Sequence, residues 1–265
     1  MVELPPVELS FSLGEWTLST RKHHILASRD EAAFKARLGR DSPLPEMLFD
    51  LNYVRLQRGD ASVTFDALEA LRCVPERASS AAEGGALSVA ASAEWLDSRR
   101  ELIPALAADT AKDYDWTFSS SFKGVLRGFE VSPTDEGLDV EALRRREPIL
   151  FYDELSLYED ELADHGCSTM TLRLRCMQSG FLLLQRFLLR VDRVLTRVMD
   201  TRLHYSVERQ RLVREWTHRE QSHVDRTAEE GGEQQAIFQP YVAATADFSQ
   251  LPLVRSSCET LSWTC

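Results

Sequence analysis

The chain has 265 residues, 43% of them hydrophobic and 28% charged, which is the balance of a globular protein able to bury a sizeable core and not that of a disordered tail. A net charge of -11 without any clustered lysines argues against nucleic acid as a partner, because phosphates would be repelled. Glu3 and Glu8 stand where a secretory leader needs positive charge, and the longest apolar run, 181–189, is broken by Gln185 and Arg186, so neither secretion nor a membrane span is expected.

From the amino terminus, Phe11, Leu13, Trp16 and Leu18, then Ile25 and Leu26, predict two strands parted by the polar patch 19–24. Asp30 supplies N-cap chemistry for a short helix over 31–38, and Gly39 is its stop. Residues 51–58 alternate apolar and polar, and Gly59-Asp60 offers a turn into Val63-Thr64-Phe65, giving a hairpin. A helical turn over 66–71 follows and ends near Pro75. The stretch ASSAAEGGA at 78–86 has no large apolar group to offset the entropy of ordering, so a mobile loop is expected there. TAEEGGEQQ at 227–235 has the same character. The predicted organisation is one domain over 1–223, with 224–265 as a partly ordered tail packing back on it.

The segment 181–205, FLLLQRFLLRVDRVLTRVMDTRLHY, sets apolar side chains beside Arg186, Arg190, Arg193, Arg197 and Arg202. Such a stretch should be half buried and half offered to something acidic. Phe181, Leu184, Leu188, Val191, Leu195 and Val198 recur at steps of three and four, as in an amphipathic helix. Phe187, Leu189 and Val191 also alternate with their neighbours, and residues 171–176 just upstream alternate as a strand does. Pattern alone puts the helix slightly ahead of the strand.

Chemical motifs are sparse. Glu159, Asp160, Glu161, Asp164 and His165 suggest a metal site or an acid–base pair, but tetrahedral zinc would want further His or Cys at ligand spacing, and a structural or solvated turn explains the cluster better. No phosphate loop, dinucleotide turn or nucleophile elbow occurs, and the histidines at 23, 24, 204, 218 and 223 read as surface imidazoles. Catalytic residues, metal and cofactor are therefore all expected to be none. Cys73, Cys167, Cys176, Cys258 and Cys265 are odd in number and lack C-x-x-C spacing, which predicts reduced thiols and a cytoplasmic protein, with the nucleus as a second compartment. Trp16, Trp95, Trp116, Trp216 and Trp263 are expected as core anchors whose indole N–H groups find partners at an edge.

If 171–176 is a strand, Arg173 and Arg175 share one face and Leu172, Leu174 and Cys176 the other. With Arg186 and Arg190 on the same face, four guanidinium groups would form a patch able to hold a carboxylate or an acidic peptide; the bland alternative is that carboxylates of the chain neutralise them.

Several blocks together resemble the TIPRL family, the TOR signalling pathway regulator-like proteins. They are LPEMLFDLNYVRL (44–56), ALRCV (70–74), AEWLDSR (93–99), YDWTFSSSFKGVL (114–126), REPILFYDELSLYEDELADHG (146–166), 181–205 and LVREWTHRE (212–220), with a weaker match at LPLVRSSCETL (251–261). The resemblance implies a non-enzymatic α+β protein, built round an antiparallel β-sheet with a few short helices and a cleft, that binds the catalytic subunit of type 2A and related serine/threonine phosphatases and inhibits it or controls its assembly. It makes 181–191 and 194–205 strands, with Asp192-Arg193 near their turn where the family tends to have Asp-Gly. It also implies phosphatase contacts at Glu69, a longer carboxylate than the family's aspartate, and at Leu138, Val198, Asp200 and Arg202, with Val198 standing where a methionine is expected. Arg173, Arg175, Arg186 and Arg190 would line the groove for the phosphatase's carboxyl-terminal tail. Net charge and the lack of a coiled-coil run, apart from the resemblance, lead to the expectation of a monomer that binds neither nucleic acid nor membrane. The rival reading is a metal-dependent hydrolase using Asp160, Asp164 and His165.

Overall fold

The computed structural model describes residues 5–75, 87–89, 112–114, 117–163, 165–192, 194–223 and 247–263. Its elements are β1 (Val7–Leu13), β2 (Trp16–Lys22), α1 (Glu31–Leu38), β3 (Met47–Leu48), β4 (Tyr53–Arg58), β5 (Ala61–Asp66), α2 (Ala67–Arg72), β6 (Leu87–Val89), β7 (Lys112–Tyr114), β8 (Val125–Arg127), β9 (Phe129–Pro133), α3 (Val140–Arg144), β10 (Phe151–Asp160), β11 (Gly166–Met177), β12 (Gly180–Val191), β13 (Leu195–Ser206), β14 (Arg211–Ser222) and β15 (Leu253–Trp263). All the strand pairs are antiparallel. A five-stranded sheet runs β1-β2-β4-β5-β8, and an eight-stranded sheet runs β3-β10-β11-β12-β13-β14-β15-β9. β6 and β7 pair separately. The class is α+β in a single domain, as the resemblance implied.

Alternation along the strands decides how the two sheets meet. Trp16 and Leu18 of β2, Val54 and Leu56 of β4, and Val63 and Phe65 of β5 are buried on one face of the small sheet. They share one core with Leu172, Leu174, Phe181, Leu183, Leu203 and Tyr205 from the inner face of the large sheet, and with α1 and α2 through Phe34, Leu38, Ala67, Ala70 and Leu71. Trp16 is the pin: its ring lies 5.2 Å from both Phe181 and Tyr205 and 5.4 Å from Trp263.

The segment 181–205 is a pair of strands, not a helix. Both faces of β12 and β13 are largely buried, so their apolar residues run almost without a break and mimic several periodicities at once. Val194 N donates to Val191 O at 3.0 Å, closing the reversal at the expected place; Arg193 lies outside the described residues. The first hairpin turns earlier than predicted, at Gly14 with φ 57°, and residues 19–22 of the polar patch belong to β2. They are tolerated there because β2 is half exposed, and buried Thr20 donates to Asp153 of β10 across the sheets. Ile25 and Leu26 form no strand.

α1 and α2 fall where expected. Gly39 ends α1 at φ 80°, and the Asp66 carboxylate caps α2 by accepting from Glu69 N at 2.9 Å. Asp30 precedes α1 in αR geometry and makes no capping bond, lying 3.5 Å from Arg29 instead. Residues 253–263, inside the stretch expected as tail, form β15 between β14 and β9. The loop expected at 78–86, the tail stretch 227–235, Trp95, Trp116 and Cys265 lie outside the described residues.

Candidate functional site

The outer face of the large sheet follows from register parity. Thr171 pairs with Arg186, Arg173 with Leu184 and Arg175 with Leu182 across β11 and β12, while Arg186 pairs with Asp200 and Leu184 with Arg202 across β12 and β13. Arg173, Arg175, Arg186, Arg190, Val198, Asp200 and Arg202 therefore all project away from the core, whereas Leu172, Leu174 and Cys176 are fully buried beneath. The four arginines do share a face.

Three of them are engaged. Arg173 Nη2 meets Glu154 Oε1 of β10 at 2.8 Å, and Arg190 Nε lies 2.8 Å from Asp192 Oδ1. Arg186 makes a two-pronged bond to Asp200, Nε to Oδ1 at 2.8 Å and Nη2 to Oδ2 at 2.9 Å. Asp200 also accepts from Arg202 Nη2 at 2.8 Å, and Arg202 Nη1 reaches Glu215 of β14 at 2.9 Å. The result is a chain of alternating charge across three strands. Arg175 alone of the four makes no ion pair among the described residues; it is half-buried, its Nε lacks a partner, and Tyr152, half exposed, stands opposite it on β10.

Not all of the basic segment faces this way. Arg197 projects inward, is buried, and donates to Glu220 Oε2 at 2.6 Å and Ser119 Oγ at 3.2 Å. Arg214 likewise pairs inward with Glu259 at 2.7 Å. The inner face thus carries a paired polar layer that hydropathy reading of single strands does not reveal, since each partner comes from a different strand.

The residues the resemblance assigned to the phosphatase contact divide into groups. Val198, Asp200 and Arg202 alternate along β13, with Val198 and Asp200 buried and Arg202 about one-third exposed. Leu138, half-buried, precedes α3; its neighbours Gly137 and Asp139 line a small cavity with His204 and Val213 at one end of the same face. Glu69 stands on α2, in the layer that packs on the opposite face, and pairs with Arg72.

Sequence reading missed Glu154 and Glu215, whose importance depends wholly on register, and it missed the segment 247–252. Phe248 and Leu251 cover Cys167, Leu188 and Val198 in a small apolar cluster separate from the main core. The Arg186 guanidinium lies 5.1 Å from the Phe248 ring, and Arg219 Nη1 donates to Ser249 O and Leu251 O at 3.0 and 2.7 Å. Burial pushes the Cys167 thiol up to about 12.

A larger cavity lies elsewhere. About 390 Å³ in volume, it opens among hairpin turns and is lined by Leu13, Gly14, Glu15, Arg58, Gln178, Tyr205, Val207 and Gln210. None of the four arginines lines it. Arg58 is held there by Glu15 and stacks 4.2 Å from the Trp263 ring.

Asp160, from the acidic cluster, is buried and accepts backbone bonds from Glu46 N at 3.0 Å and Leu162 N at 2.7 Å, so its carboxylate ties a loop to β10, and burial raises its affinity for a proton. Asp164 lies outside the described residues, and no three His, Cys, Asp or Glu side chains among the described ones converge as ligands. His204 is buried, contrary to the surface role expected for it, and burial lowers its proton affinity. Trp16 Nε1 and Trp216 Nε1 find no hydrogen-bond partner among the described residues, also against expectation; in the second case the Lys123 ammonium lies 4.5 Å from the ring.

These features define an α+β protein built on two large antiparallel sheets, with a charged, partly apolar outer face that carries Arg173, Arg175, Arg186 and Arg190. The chain belongs to the TIP41-like family, whose model matches residues 47–225. It is 41% identical over 215 residues to the TIP41-like protein of Homo sapiens, covering 79% of this chain and 76% of the relative. It is 34% identical over 227 residues to the type 2A phosphatase activator TIP41 of Saccharomyces cerevisiae, covering 78% of this chain and 61% of that protein. A second type 2A phosphatase activator, tip41 of Schizosaccharomyces pombe, is 28% identical over 200 residues.

Proposed function

We propose that this chain is a non-enzymatic regulator in TOR signalling that binds the catalytic subunit of type 2A-like serine/threonine phosphatases, acting in the cytoplasm and the nucleus. The observation that carries the reading is family membership together with the names of the two fungal relatives, which are called type 2A phosphatase activators. The outer face supports it physically. Among the described residues Arg175 has no carboxylate partner, and the Arg173–Glu154 pair is partly open to solvent, so a carboxylate on the phosphatase's extended tail could be held by one guanidinium and compete for the other.

Changing Arg173 and Arg175 together to Glu is expected to weaken binding of the purified catalytic subunit by at least tenfold, because two attractive contacts become repulsive. Thermal unfolding should move little, since an ion pair near the surface such as the half-buried Arg173–Glu154 contributes about 1 kcal/mol. Equal binding by the folded double variant would remove both residues from the site. Phosphatase activity measured in the same titration reads the direction of control: activation, as the fungal names have it, or blockage by occupancy.

A further inference from the structure

Val198 is 2% exposed and Asp200 3%, so neither is available to a partner while the chain rests as folded. What covers Val198 is a short piece of the chain itself. Residues 247–252, DFSQLP, lie across β12, β13 and β14 just before β15 begins.

This strap is attached more like a bound peptide than like a strand. Two of its bonds are spent on its own turn, Leu251 N to Phe248 O at 3.1 Å and Ser249 N to Asp247 Oδ1 at 2.9 Å. Among the described residues its polar ties to the sheet are the two carbonyl bonds from the Arg219 side chain and one backbone bond, Glu220 N to Pro252 O at 3.0 Å. The remainder is apolar: Phe248 and Leu251 on Cys167, Leu188 and Val198, with Arg186 against the Phe248 ring. The Asp247 carboxylate is held below its ordinary range, chiefly by the Ser249 bonds and further by the fields of Arg186 and Arg219. An aromatic and an aliphatic side chain next to a carboxylate, set on an apolar patch between two arginines, amount to a complete linear-motif contact made in cis.

We infer that the strap is an exchangeable occupant of the docking face, and that the phosphatase replaces it with a segment of its own of the same chemistry, an apolar side chain beside a carboxylate. The inference rests on the proposed phosphatase binding and adds its resting state. Apparent affinity is then reduced by the fraction of time the strap is seated, so a strap seated nine-tenths of the time or more weakens binding about tenfold or more.

The test uses the full chain and the purified catalytic subunit. The double variant Phe248→Ala, Leu251→Ala should bind roughly tenfold tighter than the parent chain. In the parent chain, hydrogen exchange of the Leu251 and Glu220 amides should speed up when the complex forms. Arg219→Gln, which leaves the apolar cover in place, should give a smaller gain in affinity and guards against a double variant that fails to fold. Equal or weaker binding by the variants, or residues 247–252 gaining protection in the complex, overturns the strap while leaving phosphatase binding intact. No binding by any of the chains overturns both readings together and is distinct from that outcome.

Discussion

Asp200 shows how a single carboxylate can organise a surface: it meets two guanidinium groups from two strands, and its own strand carries the apolar Val198 one step along the same face. On the inner face Glu220 stands between the Arg197 guanidinium and the His218 imidazole, and its energetics can be read by titration. The bond from His218, 3.2 Å away, and then the Arg197 guanidinium hold its carboxyl at about 2, against an ordinary 4.5. Because the folded value lies below the unfolded one, the stabilisation is present in full above about pH 4.5 and is lost as pH falls toward 2. The parent chain's urea midpoint should therefore fall more steeply between those limits than that of Glu220→Gln. At neutral pH the substitution should cost about 1–2 kcal/mol, less than the full shift implies because the side chain is partly exposed. A parallel fall of the two curves would show that Glu220 is not the group being titrated.

At the scale of elements, the long strands of the large sheet depend on how their hairpins are sealed. A Cβ on Gly180, at φ 155°, would lie 1.9 Å from the Tyr205 carbonyl oxygen, and one on Gly166 would lie equally close to that of Arg190. Neither contact can be relieved without breaking the first rung of the ladder between neighbouring strands. Gly14, at φ 57°, meets nothing within 4 Å. Gly180→Ala should accordingly cost about 3 kcal/mol or more, while Gly14→Ala costs about 1 kcal/mol for the left-handed backbone alone. Chemical denaturation of the two variants compares them directly, and equal losses would show that the close approach at Gly180 is relaxed in solution. The hairpins at 51–66 and the helix at 31–38 were legible from local chemistry, because Gly59-Asp60 and Gly39 punctuate them. The strand character of 181–205 was not legible from periodicity, since a strand covered on both sides loses the alternation that would reveal it; the family resemblance supplied it instead.

In the whole molecule the last strand is central to cohesion. β15 lies between β14 and β9, and Trp263 joins the aromatic group of Trp16, Phe129 and Tyr205 that spans both sheets. A chain ending at His223 would leave β9 without its partner and open one side of that group. It should melt lower by on the order of 10 °C, with a broadened transition, as followed by circular dichroism. An unchanged melting temperature would mean that β15 adds nothing to the cooperative unit. This dependence also explains why an acidic, glycine-rich stretch can precede a strand that is integral to the fold: low hydropathy at 227–235 says nothing about residues twenty positions further on.

The sequence by itself determined the family, the α+β class and the parity of each long strand, because alternation within a strand is local and assigns a side chain to a face wherever the strand lies. It therefore set Arg173 with Arg175 on one face of β11 and Arg186 with Arg190 on one face of β12, while the register between those strands put the two pairs on a common surface. Only the tertiary structure decided what each of them meets. Salt bridges between strands depend on register, a relation between residues far apart in the chain, so Glu154, Asp200 and Glu215 acquired their partners only when the sheet was assembled. The same holds for the cover over Val198, which comes from a segment some fifty residues away and is held there by shape and two arginines that no local pattern connects.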